Sequence, residues 1–354
     1  MGDGEESTAG GIGMGTGTGT GAGGDVDVDV VSRDEEGKVS VRRVDSPCPG
    51  VRLSVGSKGE CTVAMHGGHL VSWRVPRKGD GGAGEMEELL FLSEKAEFEA
   101  PKAIRGGAPV CFPQFADGAG VKGMGFGNHG FARNSDWKLL ERECSADASG
   151  AVAVLELSAS GATGAVPESW AEGGASGLWQ LQLQVTLTAH GQLLVRFAVL
   201  NHDQGADLGP VQLLFHAYFR VADVADAGTQ VTGLEGRAYW DSLAGGHQVQ
   251  VEGSDAPVAF PGGANVDRIY LDNADHVKRL SGAGERGDRV ISMATTSLPD
   301  TVVWNPGKEK AAKLADLHEG GERHFVCVEP GRIRDPATVQ PGGVWISEIH
   351  LACR

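Results

Sequence analysis

The chain has 354 residues, 22% of them charged, a formal net charge of −16 and an isoelectric point near 5.1. That length holds one large all-β domain or two ordinary ones. The acidic balance argues against nucleic acid as a partner, because phosphate backbones require a basic surface.

Residues 1–38 read as a disordered, acidic leader. The stretch 10–24 is dominated by Gly, Thr and Ala and has little apolar surface to offset its ordering entropy. A formal GxGxxG at Gly19, Gly21 and Gly24 follows no strand pattern and opens no helix, so it is not a nucleotide fingerprint. The acids outnumber Arg33 and Lys38, which disfavours an organellar transit peptide. Alternation over 25–30 suggests a marginal edge strand.

From residue 39 to 354 the pattern is strand-dominated and predicts one domain. Strands are expected over Val51–Val55, Cys61–Met65, Val152–Leu157, Leu181–Thr188 and Leu193–Leu200, the last two joined as a hairpin across Ala189–Gln192. Others are expected over Gln212–Phe219, Thr301–Trp304, Phe325–Val328 and Trp345–Leu351. Glu85–Leu90 and Glu309–Leu317 suggest short helices. Many strands, few helices and 55 glycines predict an all-β fold, a large antiparallel β-sandwich.

Six cysteines (Cys48, Cys61, Cys111, Cys144, Cys327 and Cys353) show no CxxC pair and no zinc-type spacing. They read as reduced thiols, and Cys111 and Cys327 as small buried hydrophobes. The apolar stretches are too short to span a membrane, and no signal pattern opens the chain. A cytoplasmic setting is expected.

Two short segments carry the strongest chemical signal. Leu213–Phe219 and Phe325–Gly331 each set one titratable group, His216 or Glu329, inside an apolar run. Such groups are costly to bury unless paired or put to work. Brought together by folding, a His and a carboxylate make an acid/base pair; singly, each reads as a satisfied core residue.

A second signal is Ala103–Phe115, where Arg105 stands beside Gly106 and Gly107, followed downstream by Asn128, His129, Gly130 and Arg133. Two converging arginines suit a phosphate, and surface ion pairing explains them equally well. His318-Glu319 with His324 lacks the helical spacing of a metalloprotease motif, and no GxSxG elbow occurs.

These segments, taken in order, resemble the glucose-6-phosphate 1-epimerases (hexose-6-phosphate mutarotases) of the aldose 1-epimerase, or galactose mutarotase-like, superfamily. The resemblance runs from about Val51 to Leu351. It rests on Gly67–Trp73, Ile104–Gly107, His129–Asn134, Phe215–Phe219, Val266–Tyr270, Asp300–Pro306 and Val328–Gly331. It implies a β-sandwich whose concave face holds the sugar, with His216 as general acid and Glu329 as general base. It further implies that Arg105 and Arg133 lie near a substrate phosphate and that Asp267 binds the sugar. Asn128 stands where Gln is common, Ala217 where Thr is common, and Gly307 where Trp often follows Asn-Pro.

The implied reaction interconverts the α and β anomers of glucose 6-phosphate or a related hexose 6-phosphate. A base removes the C1 hydroxyl proton while an acid protonates the ring oxygen, and rotation about C1–C2 precedes closure. No cofactor or metal is required. His216 is expected to enter as imidazolium, with His129 assisting at the ring oxygen or a hydroxyl. Trp73 and Trp304 are candidates for stacking on the sugar, though each reads more readily as core. The expected partner is a small-molecule sugar phosphate, not nucleic acid or membrane, and the expected state is a monomer. Two alternatives remain: a 1-epimerase of unphosphorylated aldoses, and a non-catalytic carbohydrate-binding protein.

Overall fold

The computed structural model of the protein describes residues 30–79, 84–117, 126–160, 168–170, 177–244 and 250–354. Three sheets of six, ten and eight strands build it, and every strand pair within them is antiparallel. The six-stranded sheet is a meander from Val30–Arg33 to Met86–Glu88, with sequential strands adjacent throughout.

The ten-stranded sheet packs against both others. Its strand Gly150–Ser158 meets Gly50–Val55 of the first sheet, and Leu193–Asn201 and Val344–Cys353 meet Phe325–Val339 of the third. The sandwich core lies between these faces, as predicted.

The clearest sequence pattern gives the most regular structure. Trp179–Thr188 and Leu193–Asn201 alternate buried and half-buried residues along their whole lengths and pair as a hairpin, Leu187 opposite Leu193. Leu181, Leu183, Val185 and Leu187 all point inward and are at most 1% exposed. Each such side chain contributes roughly 1.5–3 kcal/mol through its removal from water.

Phe325–Val339 is the axis of the eight-stranded sheet. It pairs on one side with Asp300–Asn305 and on the other with Leu208–Phe215 and Tyr218–Arg220. Its first seven residues are all buried, because both faces are covered. Under one face lies a cluster that includes Phe91, Tyr218, Trp304, Phe325 and Cys327.

Several expectations need correction. The proposed strand Gln212–Phe219 is two strands, Leu208–Phe215 and Tyr218–Arg220, interrupted at His216 and Ala217. Glu85–Leu90 is not helical: Met86–Glu88 is a strand on the edge of the first sheet. There the buried carboxylate of Glu87 takes an ion pair from Arg289 at 2.8 Å, and strand pairing overrides the helix-favouring composition. The helix expected over Glu309–Leu317 is confined to Gly307–Ala311.

The leader boundary at residue 38 also moves. Val30–Arg33 pairs with Val39–Val44 and so belongs to the first sheet. Residues 1–29, including most of the alternating stretch at 25–30, lie outside the described residues. None of the described helices is long and apolar enough to cross a membrane.

Candidate active site

Strand register explains why two groups distant in sequence meet. Leu214 pairs with Gly331 and Tyr218 with Cys327, which sets the interrupted residue His216 opposite Glu329. At the break the His216 N–H donates to the carbonyl of Pro109 instead of to the neighbouring strand. The imidazole Nδ1 lies 3.2 Å from Glu329 Oε1, and both side chains are almost completely buried. His216 Nδ1 and Glu329 Oε2 have no hydrogen-bond partner among the described residues.

Aromatic rings fix the imidazole. Tyr218 stacks on it at 4.8 Å, and Trp304 meets it edge-on at 5.8 Å. Trp304 thus lines the cavity, whereas Trp73 is fully enclosed in the core and donates its indole N–H to Gly191. Trp73 is therefore not a sugar contact.

All seven residues singled out in the sequence line one cavity of about 300 Å³: Arg105, Asn128, His129, Arg133, His216, Asp267 and Glu329. That volume suits a small ligand. A second cavity of about 370 Å³ adjoins it, and Arg105 and Arg133 line both; Glu97, Lys102, Tyr218 and Asp316 complete its polar wall. A larger cavity of about 510 Å³ lies elsewhere, beside Phe91, Arg220, His318 and His324. There His318 Nδ1 accepts from the Glu94 backbone and His324 lies on the carbonyl of Ala222, which are structural roles.

The two arginines differ in company. Arg105 donates to the Tyr218 hydroxyl at 2.9 Å, and its Nε lies 3.1 Å from Asp316. Arg133 donates to the backbone carbonyl of Asn128 at 2.8 Å and has no carboxylate at ion-pair distance among the described residues. Burial, with the charge of Arg105 nearby, makes its guanidinium easier to deprotonate than usual. A half-buried cation without a counter-ion is poised for an anion.

Asn128 and His129 hang on a tight loop. His129 adopts a left-handed φ of 63°, and the Ala116 N–H donates to its Nδ1 at 3.1 Å, which leaves the proton of a neutral ring on Nε2. Gly130 is required beside it: with φ at +71°, a Cβ there would sit 2.1 Å from the Phe112 carbonyl oxygen. The side chain of Asn128 is exposed, and the backbone carbonyl of Asn128, not its side-chain amide, accepts from Arg133.

Asp267 sits across the cavity with Lys310, whose ammonium donates to it at 3.1 Å and lies over the Trp304 ring. Lys310, Tyr218 and Asp316 were not singled out from sequence. The only signal for Lys310 was its place on a short helix just after the Asn-Pro that ends a site strand. Gly307 opens that helix with φ +61°, and a Cβ there would meet Asn265 at 2.8 Å, so this backbone has no room for the indole often found at that position.

Electrostatics set the protonation of the pair. Burial, reinforced by Asp267, holds the Glu329 carboxyl well above its usual range. Burial, then Arg133 and Arg105, hold His216 well below the usual imidazole value. Both shifts favour the uncharged form of each group in the resting site. Such a pair can take a proton from one oxygen and give one to another with no net exchange with solvent.

Comparison with known proteins identifies the family. The family model of aldose 1-epimerase covers residues 49–352. A protein of Cenchrus ciliaris named "Putative glucose-6-phosphate 1-epimerase" is 30% identical over 299 residues, 84% of this chain and 82% of its own. An Escherichia coli protein of the same name is 30% identical over 270 residues, covering 76% and 79% of the two chains. A Salmonella typhimurium structure described as a putative mutarotase superposes with a TM-score of 0.69 at 23% identity, covering 92% of this chain and 96% of that one. The galactose 1-epimerase of Lactobacillus acidophilus shares the fold with a TM-score of 0.60 at 11% identity, covering 89% and 95%. The chain belongs to the aldose 1-epimerase family and is a sugar epimerase built on a mutarotase-type β-sandwich.

Proposed function

We propose that the enzyme interconverts the α and β anomers of glucose 6-phosphate and related hexose 6-phosphates, with His216 and Glu329 as the acid/base pair. The observation that carries this reading is one buried pair, 3.2 Å apart, in a cavity whose wall holds two arginines, one of them without a carboxylate. The names of the relatives in Cenchrus ciliaris and Escherichia coli support the phosphorylated substrate.

In this reading the pyranose occupies the 300 Å³ cavity between Asp267 and the pair, and the phosphate reaches Arg105 and Arg133 where the two cavities join. A dianion beside the arginines offsets their push on His216 and so favours its imidazolium, with Glu329 as the carboxylate. Glu329 takes the C1 hydroxyl proton, His216 protonates the ring oxygen, and the C1–O5 bond opens. Rotation about C1–C2 and the reverse transfers close the ring on the other face. His129 Nε2–H donates to a ring or hydroxyl oxygen, and Asp267, held by Lys310, accepts from sugar hydroxyls. No partner subunit is needed for this chemistry, and a monomer suffices.

The test is anomer exchange measured by saturation-transfer NMR on glucose 6-phosphate, with free glucose alongside. Exchange well above the spontaneous rate is expected for the phosphorylated sugar. His216→Ala and Glu329→Gln should each lower it by about 10²- to 10⁴-fold. Arg133→Ala should raise the KM for glucose 6-phosphate by roughly 10- to 100-fold, the worth of a charged hydrogen bond, with no effect on any residual activity toward free glucose. Acceleration of free glucose alone would overturn the phosphate assignment. Full activity in both pair variants would overturn the mechanism.

A further inference from the structure

A third donor stands beside the acid/base pair and takes no part in the chemistry above. Cys327 lies two residues before Glu329 on the same strand, and the period of two sends both side chains to one face. The register sets Tyr218 opposite Cys327 and thereby His216 opposite Glu329, so the three donors form a triangle. An imidazole nitrogen, the Cys327 sulfur and a Glu329 oxygen all lie within 4.8 Å of one another. All three residues are buried, and two of the polar atoms, His216 Nδ1 and Glu329 Oε2, lack hydrogen-bond partners among the described residues.

We propose that His216, Cys327 and Glu329 form an inhibitory binding site for a thiophilic divalent cation, with Zn²⁺ the best fit. Zinc takes nitrogen, thiolate and carboxylate ligands at about 2.0–2.3 Å, and modest side-chain adjustment brings donors of this span around it. Thiolate and carboxylate together neutralise the ion, which a site this deep requires. The cavity supplies the fourth position. A metal held there occupies the imidazole nitrogen and the carboxylate oxygen that the reaction uses, so the loaded enzyme cannot pass protons to and from the sugar.

The chemistry also selects the ion. Arg105 and Arg133 face the same cavity and repel a cation held by charge alone. Mg²⁺ and Ca²⁺, which depend on oxygen ligands, are therefore excluded, whereas Zn²⁺ gains its thiolate bond. The inhibitory consequence rests on the acid/base reading above; the binding itself rests only on the placement of the three donors.

Two readouts keep these apart. Co²⁺ added to the wild-type protein should give a thiolate-to-cobalt charge-transfer band with the visible bands of a tetrahedral site, and Zn²⁺ should abolish both. Zn²⁺ should suppress anomer exchange of glucose 6-phosphate, while Mg²⁺ and Ca²⁺ leave it unchanged. Cys327→Ala and Cys327→Ser should exchange anomers at the wild-type rate without metal and require about 100-fold more Zn²⁺ for half-inhibition, a large loss of the kind that follows weakened ligation. Equal Zn²⁺ sensitivity in wild type and both variants, or cobalt spectra without the thiolate band, would overturn the site. A thiolate band with undiminished exchange would overturn the inhibition and the acid/base assignment together.

Discussion

His69 shows how a single buried ring couples the site to solution conditions. It is fully enclosed, and its Nε2 lies 2.8 Å from the carbonyl of Gly106, the residue next to Arg105. Burial pushes its imidazole down to about 3. The unfolded chain binds a proton there near the ordinary value of about 6.5, while the folded protein does not until far lower pH. Stability is therefore complete above the unfolded value and falls as pH drops from about 6.5 toward 3, by up to about 1.4 kcal/mol per pH unit. Urea unfolding across this range should show the decline, and His69→Gln should flatten it by about one proton; an unchanged slope would refute the assignment. His216 and Glu329 were legible in sequence as misplaced titratable groups in apolar runs. The direction in which each is shifted was not, because that depends on burial and on Arg105, Arg133 and Asp267 arriving from three other segments.

At the scale of elements, strands with one buried face announce themselves. The hairpin Trp179–Asn201 was readable because each residue alternates between core and surroundings over nine or more positions. Leu183, 1% exposed at the middle of that hairpin, is the place to test its weight. Leu183→Ala should cost about 2–5 kcal/mol in chemical denaturation while anomer exchange at saturating substrate persists, since the hairpin contributes nothing to the cavity. Loss of exchange in the folded variant would mean that this sheet shapes the site. Elements with weaker local patterns were misread. Met86–Glu88 carries helix-favouring residues yet is drawn into an edge strand by the buried Glu87–Arg289 pair. The break at His216 and Ala217 is invisible locally, because the apolar run continues through it.

For the whole molecule, the cavity is assembled from loops around Arg105 and His129, the break at His216, and the strands bearing Asp267, Trp304 and Glu329. Ordered motifs made these positions legible and also contain Tyr218, whereas Lys310 and Asp316 enter through tertiary placement alone. The strand Val30–Arg33 lies at the far edge of the first sheet from Met86–Glu88 and outside the cavity. Removal of residues 1–29 should leave turnover and melting temperature unchanged. Removal of 1–38 should leave turnover intact but lower the melting temperature, because Val39–Val44 then becomes an uncovered edge. Calorimetry beside the exchange assay checks both; a large loss of turnover in either truncation would place this end of the chain over the site.

The interrupted strand at His216 has a consequence for how the enzyme fails. Glu329 lies at the centre of the eight-stranded sheet, and the amide of Val328 is secured across the break by the carbonyl of Ala217. Arg105 instead lies in a connecting segment and Arg133 on the short 3-10 turn Ala132–Asn134, where its side chain donates to the Asn128 carbonyl. Central sheet amides exchange with deuterium only on global opening, while loop amides exchange through local fluctuations that begin well below the melting point. On warming, the enzyme should thus forfeit its preference for phosphorylated sugar before its capacity to open the ring, and turn from a selective catalyst into a permissive one.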